Sequence, residues 1–174
     1  MTENLSDQPR QFKGKGFQKR FYNSWSAFWK DLIFLFSNRN RIKSAMRSDQ
    51  LTMAFRERLM LAVTEVNHCR YCRSFHVQQA YQAGISKEEV QTYLKGAIPE
   101  DVPDDQKIAV AYARHWAENE TRPDLAFENQ IREFYGENVF LDIGMVLRMI
   151  WMGNLLGNSL DYLLYRLSFG KRRA

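Results

Sequence analysis

Residues 57–76 read Glu57-Arg58-Leu59-Met60-Leu61-Ala62-Val63-Thr64-Glu65-Val66-Asn67-His68-Cys69-Arg70-Tyr71-Cys72-Arg73-Ser74-Phe75-His76. Leu51, Phe55, Leu59, Val63 and Val66 recur at three- and four-residue steps, the spacing that gives a helix an apolar stripe. Asn67-His68 interrupts the stripe, and Cys69, Cys72, Phe75, His76, Gln79 and Ala80 restart it. The stretch therefore predicts a helix over 51–67 beginning at Ser48-Asp49-Gln50, a tight break, and a second helix over 69–82 closed by Gly84.

The same period continues on both sides. Ser86-Lys87-Glu88-Glu89 is a capping-box pattern, in which the serine hydroxyl and the glutamate would each satisfy the other's free backbone N–H, and it predicts a short helix to Leu94 ended by Gly96. Pro99–Asp105 reads as a surface turn leading to a helix that runs to Asn119. Thr121-Arg122-Pro123-Asp124 starts a further helix ending at Tyr135-Gly136, and a last one spans 138–167, rich in Leu and Met. Upstream, Trp25, Phe28, Trp29, Leu32, Ile33, Leu35 and Phe36 predict a single helix over 23–46. With no strand-like alternation and no repeat, the fold class is all-α, a bundle of six to eight helices. The charge-free run Met149–Leu160 is twelve residues, short of the ~20 needed to span a bilayer.

Length and composition agree. A chain of 174 residues with 45% hydrophobic residues, 9 Gly and 4 Pro suits one helical core and argues against disorder and turn-rich β folds. Two cysteines are too few for a disulfide scaffold, and Met1-Thr2-Glu3-Asn4 opens no apolar leader, so a cytoplasmic setting is expected. Residues 1–48 hold 10 Lys/Arg against 3 Asp/Glu, a net +7, leaving −2 for the remainder. The organisation expected is a flexible basic arm (1–20), an aromatic basic helix (21–47) and the main helical domain (48–174). A basic aromatic segment suits either an anionic surface or a solvated helix face; nothing resembles a nucleic-acid recognition motif.

The chemistry concentrates at Cys69-x-x-Cys72, which holds both cysteines of the chain. In the first turn of a helix, free N–H groups and the macrodipole stabilise a thiolate. His76, four residues after Cys72, shares its helix face and can act as a base, and Glu57 on the preceding helix could fold back to orient that imidazole. Inert core thiols and a zinc site built from Cys69, Cys72, His68 and His76 are the competing readings, the second without a distant ligand pair. Covalent haem attachment is excluded because Arg73, not histidine, follows Cys72. His68 reads as a boundary residue that could assist the thiols, and His115 as structural. Arg148, in an apolar helix, predicts a buried partner such as Asp142 or Glu57, or a subunit contact. Gly144, Gly153 and Gly157 predict close helix packing within or between subunits, and Met145, Met149 and Met152 read as core.

Glu57, Cys69-x-Tyr71-Cys72 and His76, in the context Arg56-Glu57-Arg58 and Val66-Asn67, resemble the AhpD-like alkylhydroperoxidases of the carboxymuconolactone decarboxylase superfamily. The likeness centres on residues 50–95, with a weaker echo at Gly153-Asn154, Gly157-Asn158 and Asp161. It implies a helical homo-oligomer that reduces a peroxide or disulfide substrate without metal or organic cofactor. Cys72 would be the attacking thiolate, Cys69 the resolving thiol, His76 the base and Glu57 the start of a proton relay. An external dithiol, a thioredoxin-like or lipoyl protein, would regenerate the pair. Peroxidase members carry histidine immediately before the second cysteine; Tyr71 stands there in this chain. Disulfide exchange is thus implied more directly than peroxide reduction. The alternative from the residues themselves is a redox-sensitive binding protein that docks on a membrane surface or partner through its basic aromatic segment.

Overall fold

Four of the helices start at a side chain that accepts a free backbone N–H: Ser24, Thr52, Cys69 and Ser86. The computed structural model describes residues 17–168, and among them the chain forms seven helices and no strand. Ser24 caps α1 (Trp25–Ser37) by accepting the Ala27 N–H. The single helix expected over 23–46 divides at Asn38, whose side-chain amide donates to the Phe34 carbonyl at 2.8 Å; α2 (Arg39–Ala45) follows. An asparagine that bonds its own backbone competes with helix continuation. Thr52, not Ser48, caps α3 (Met53–Asn67), leaving Leu51 buried just before the helix.

α3 is the central element, packed against α4 (Arg70–Gln82), α5 (Lys87–Leu94), α6 (Asp104–Glu118) and α7 (Leu125–Leu167). Nearly every α3 residue from Phe55 to Asn67 is buried. Leu59, Leu61 and Val63 pack there with Val110, Ile131, Ile143 and Leu147 in one core. The ionisable groups that α3 carries inside are all partnered, as burial of charge demands. Arg58 makes two bonds to Glu89, at 2.7 and 3.0 Å, and a third to Gln106. That pairing takes Glu89 out of the expected capping box: Ser86 accepts the Glu89 N–H at 3.0 Å, but the carboxylate turns inward to the buried guanidinium.

Gly84 (φ 83°) ends α4 as expected, with the Ile85 N–H reaching back to the Ala80 carbonyl. α7 breaks at Gly136 (φ 78°, ψ 162°), a conformation essentially confined to glycine, so the two helices expected on either side of it are there. An 18-residue stretch of α7 has mean hydropathy 1.5, but 56% of it is buried against the rest of the protein. Gly144 and Gly153 meet nothing within 4 Å where a Cβ would project, so of the packing expected within or between subunits neither makes a close approach within the chain.

Residues 1–16, the greater part of the expected arm, lie outside the described residues. Residues 17–20 differ from that expectation: Phe17 is buried against Phe21, Tyr162 and Tyr165. Phe21 stacks on Tyr162 with centroids 4.1 Å apart. The segment thus forms a strap across α7. Arg148 also departs from expectation. Its guanidinium sits over the rings of Phe34 and Trp116 at 5.3 and 5.5 Å, while Asp142 pairs with Arg41 and Glu57 with His76. α1 lies along α7 and presents a ring face where a carboxylate was expected, a cation–π arrangement.

Candidate active site

The turn between α3 and α4 is built for two sulfurs. His68 adopts a left-handed conformation (φ 53°, ψ 36°) that reverses the chain at the end of α3. Asn158 of α7 donates to the carbonyls of Asn67 (2.7 Å) and Arg20 (2.8 Å), fixing the last residue of α3 and the strap together. Cys69 then takes the N-cap position of α4, its sulfur accepting the Cys72 N–H at 3.3 Å. Cys69 and Cys72 form a disulfide with Cα atoms 5.4 Å apart. Cys69 is fully buried and Cys72 is partly open to solvent, so the two sulfurs are unequal in access.

His76 lies one turn beyond Cys72 on α4 and is buried. Its Nδ1 is 2.7 Å from Glu57 Oε2, which fixes one ring nitrogen and leaves Nε2 for other chemistry. The antiparallel course of α3 and α4 brings these residues together across nineteen positions, and it pairs Glu65 with Arg73 by two bonds at 2.8 and 2.5 Å. Burial pushes the Glu65 carboxyl above the usual carboxylate range, against the pull of Arg73. Cys72 and His76 share a helix face, as the four-residue spacing requires, and no hydrogen bond joins them in the disulfide form.

His68 does not join the thiols. It is exposed, and burial of its ring on one side, with Arg73, Lys19 and Arg20 nearby, holds its pKa below the ordinary imidazole value. On α6, His115 accepts the Asp124 N–H at 3.2 Å and approaches Asn119 and, from α7, Phe127. The two sulfurs of the zinc reading bond each other. Among the described residues no group of three or more His, Cys, Asp or Glu is gathered for a metal.

Two residues on α7 complete the site. A Cβ on Gly157 would stand 2.7 Å from Cys69 Sγ and 3.4 Å from the Tyr71 ring, so the helix backbone itself forms the wall behind the disulfide. Of the three glycines read as packing positions, this one makes a close approach, and what approaches is sulfur. Asp161, with a side chain 2% exposed, holds Arg70 at 2.6 Å and Lys19 at 2.9 Å. Burial opposes its ionisation, but bonds from Lys19 and the Tyr71 hydroxyl and the Arg70 charge outweigh it and hold the carboxyl below its usual range. Arg70 also donates to the Tyr71 hydroxyl at 2.9 Å and covers its ring. Tyr71, beside Cys72, is therefore a fixed phenol in a cationic setting. The distant Gly157 and Asp161 were visible in the sequence as a faint likeness, without any sign that they touch the cysteine turn.

Residues 35–118 match the carboxymuconolactone decarboxylase family. The match holds Glu57, Cys69, Cys72 and His76, and ends at the last residue of α6 before α7 begins. No curated protein and no solved structure matches the chain.

Proposed function

We propose, from the membership of residues 35–118 in the carboxymuconolactone decarboxylase family, that this protein is an AhpD-like dithiol–disulfide oxidoreductase. The observation that carries the reading is the Cys69–Cys72 pair in the first turn of α4 with the Glu57–His76 couple one turn on.

In the reduced protein His76 takes the Cys72 thiol proton, Glu57 orienting and stabilising the imidazolium. The Cys72 thiolate attacks the terminal oxygen of a hydroperoxide; an S–O bond forms, the O–O bond breaks, and the departing alkoxide takes the proton from His76 to leave as alcohol. The Cys69 thiol then attacks the Cys72 sulfenic acid, forming the disulfide and releasing water. An external dithiol reduces the disulfide by exchange at the accessible Cys72 sulfur and is itself oxidised. With a disulfide substrate, the Cys72 thiolate attacks sulfur instead and a mixed disulfide is resolved by Cys69. Tyr71 gives the phenol, not a second base, beside the nucleophile, which favours the disulfide substrate. A reducing, cytoplasmic setting supplies the donor. Leu156, Leu160, Leu163 and Leu167, 48–68% exposed along one side of α7, support assembly of copies.

The test is the pH dependence of Cys72 alkylation in reduced wild type and in His76→Gln, with disulfide formation after a pulse of peroxide or of a small disulfide read by mass spectrometry. A Cys72 thiol titrating below ~8.5, moved upward in the variant, with an internal bridge after either oxidant, is expected. Ordinary titration of both thiols and no bridge overturn the proposal.

A second reading has its own observation. Trp25, Trp29, Ile33 and Phe36 form an exposed apolar side of α1 beside the basic Arg39 and Lys43, the composition of a helix lying in an anionic membrane surface. Flotation with anionic vesicles, lost in Trp25→Glu/Trp29→Glu with thiol chemistry unchanged, would favour it.

A further inference from the structure

On the side of α3 away from α7, a cavity of about 370 Å3 opens between α3, α4, α6 and the loop after α5. None of Glu57, Cys69, Cys72 and His76 lines it. Its walls mix apolar residues such as Ala62, Val66 and Ile98 with charged ones, the composition of a small-molecule site, and the volume lies in that class.

The hydrogen-bonding groups left over are mostly donors. Glu65 has both oxygens engaged by Arg73 Nε and Nη2, so Arg73 Nη1 is spare and the carboxylate is not. Arg114 bonds Glu118 and the Gly96 carbonyl through Nε and Nη1, leaving Nη2. Lys95 forms no ion pair with a described residue. Acceptors left over are one oxygen of Glu118 and the His68 ring. Three cations stand against two carboxylates on the lining.

We propose that this cavity binds a small organic anion, its carboxylate or phosphate held by Arg73, Lys95 and Arg114 and its short apolar body lying on Ala62, Val66 and Ile98. The one free nitrogen on each of Arg73 and Arg114 offers a charge-assisted N–H bond to either head group. The site is independent of the thiol chemistry.

The experiment titrates the 15N-labelled full-length protein with hexanoate, hexan-1-ol and inorganic phosphate, following backbone resonances of residues 93–98 and Arg114. Saturable shifts with hexanoate are expected, at least fivefold tighter than with hexanol and weakened at least fivefold in Lys95→Gln. Lys95 is exposed, so its variant keeps the fold. Hexanol binding as tightly as hexanoate, or no saturable shift, overturns the anion site. Phosphate binding as tightly as hexanoate overturns the apolar half of the assignment.

Discussion

The α3–α4 hairpin and the α7–strap layer contribute to the same site in opposite ways. In the hairpin, Glu57, Cys69, Cys72 and His76 lie within twenty residues of chain, and two helices and one left-handed residue suffice to bring them together. α7 and the strap supply no redox group. They supply the wall at Gly157, the amide of Asn158 that ties down Asn67, and the Asp161 carboxylate that gathers Lys19, Arg70 and Tyr71. Chemistry is local and support is distant. The family match draws the same line, including the hairpin and ending before α7.

The sharpest break of this contrast is removal of a hairpin group. Cys72→Ser is expected to abolish oxidant-driven disulfide formation, whereas Cys69→Ser should leave one oxidation step and accumulate a sulfenic acid that a dimedone-type probe traps. Retained bridging or no trapped species would reverse the sulfur assignments. Next is Glu57→Gln, which keeps the shape but removes the charge facing His76. Alkylation or oxidation of Cys72 should slow by about a hundredfold, with folding nearly intact by circular dichroism and the pH profile displaced.

The distant layer should show smaller effects of another kind. Gly157→Ala places a methyl group against Cys69 Sγ. A disulfide sulfur is less able to move aside than a thiol, so the oxidised form should lose about 1–2 kcal/mol more than the reduced form, which is about tenfold in the disulfide–dithiol equilibrium measured in glutathione buffers. Equal destabilisation of both forms would mean that the wall does not sense the redox state.

The smallest effect concerns Asp161. Its folded-state pKa is depressed, so the native state binds fewer protons than the unfolded chain across the acid range. Its contribution is therefore complete above the ordinary carboxylate value of ~3.9 and lost as pH falls through the folded value. Urea unfolding should find Asp161→Asn less stable than wild type at neutral pH, with the gap closing below about pH 4. A gap independent of pH would remove the ionic account of this cluster.

How much could be read beforehand follows the same division. The helix pair, the break at Asn67-His68 and the shared face of Cys72 and His76 were legible because helical period and a four-residue spacing are local rules, whereas the return of Glu57 to His76 was only a possibility until two helices packed. Gly136 was legible because its conformation excludes other residues. Asn38 was missed because its apolar flanks keep the helical period while its side chain bonds the backbone. Phe17 was missed because a polar neighbourhood hid a ring that only Tyr162 and Tyr165 bury. Arg148 was expected to meet a carboxylate or a subunit contact, and within the chain the fold gave it two aromatic rings.

The sequence by itself determined the all-helical class, the order of the helices and the place of the cysteine pair one turn from His76, because periodicity, caps and cysteine spacing act within a few residues. Tertiary structure alone decided that Gly157 stands against Cys69, that Asp161 collects the charges around Tyr71, and that Glu89 turns inward to Arg58 rather than capping its own helix. Those outcomes depend on which helix faces meet, and a contact between residues ninety positions apart leaves no period in the chain.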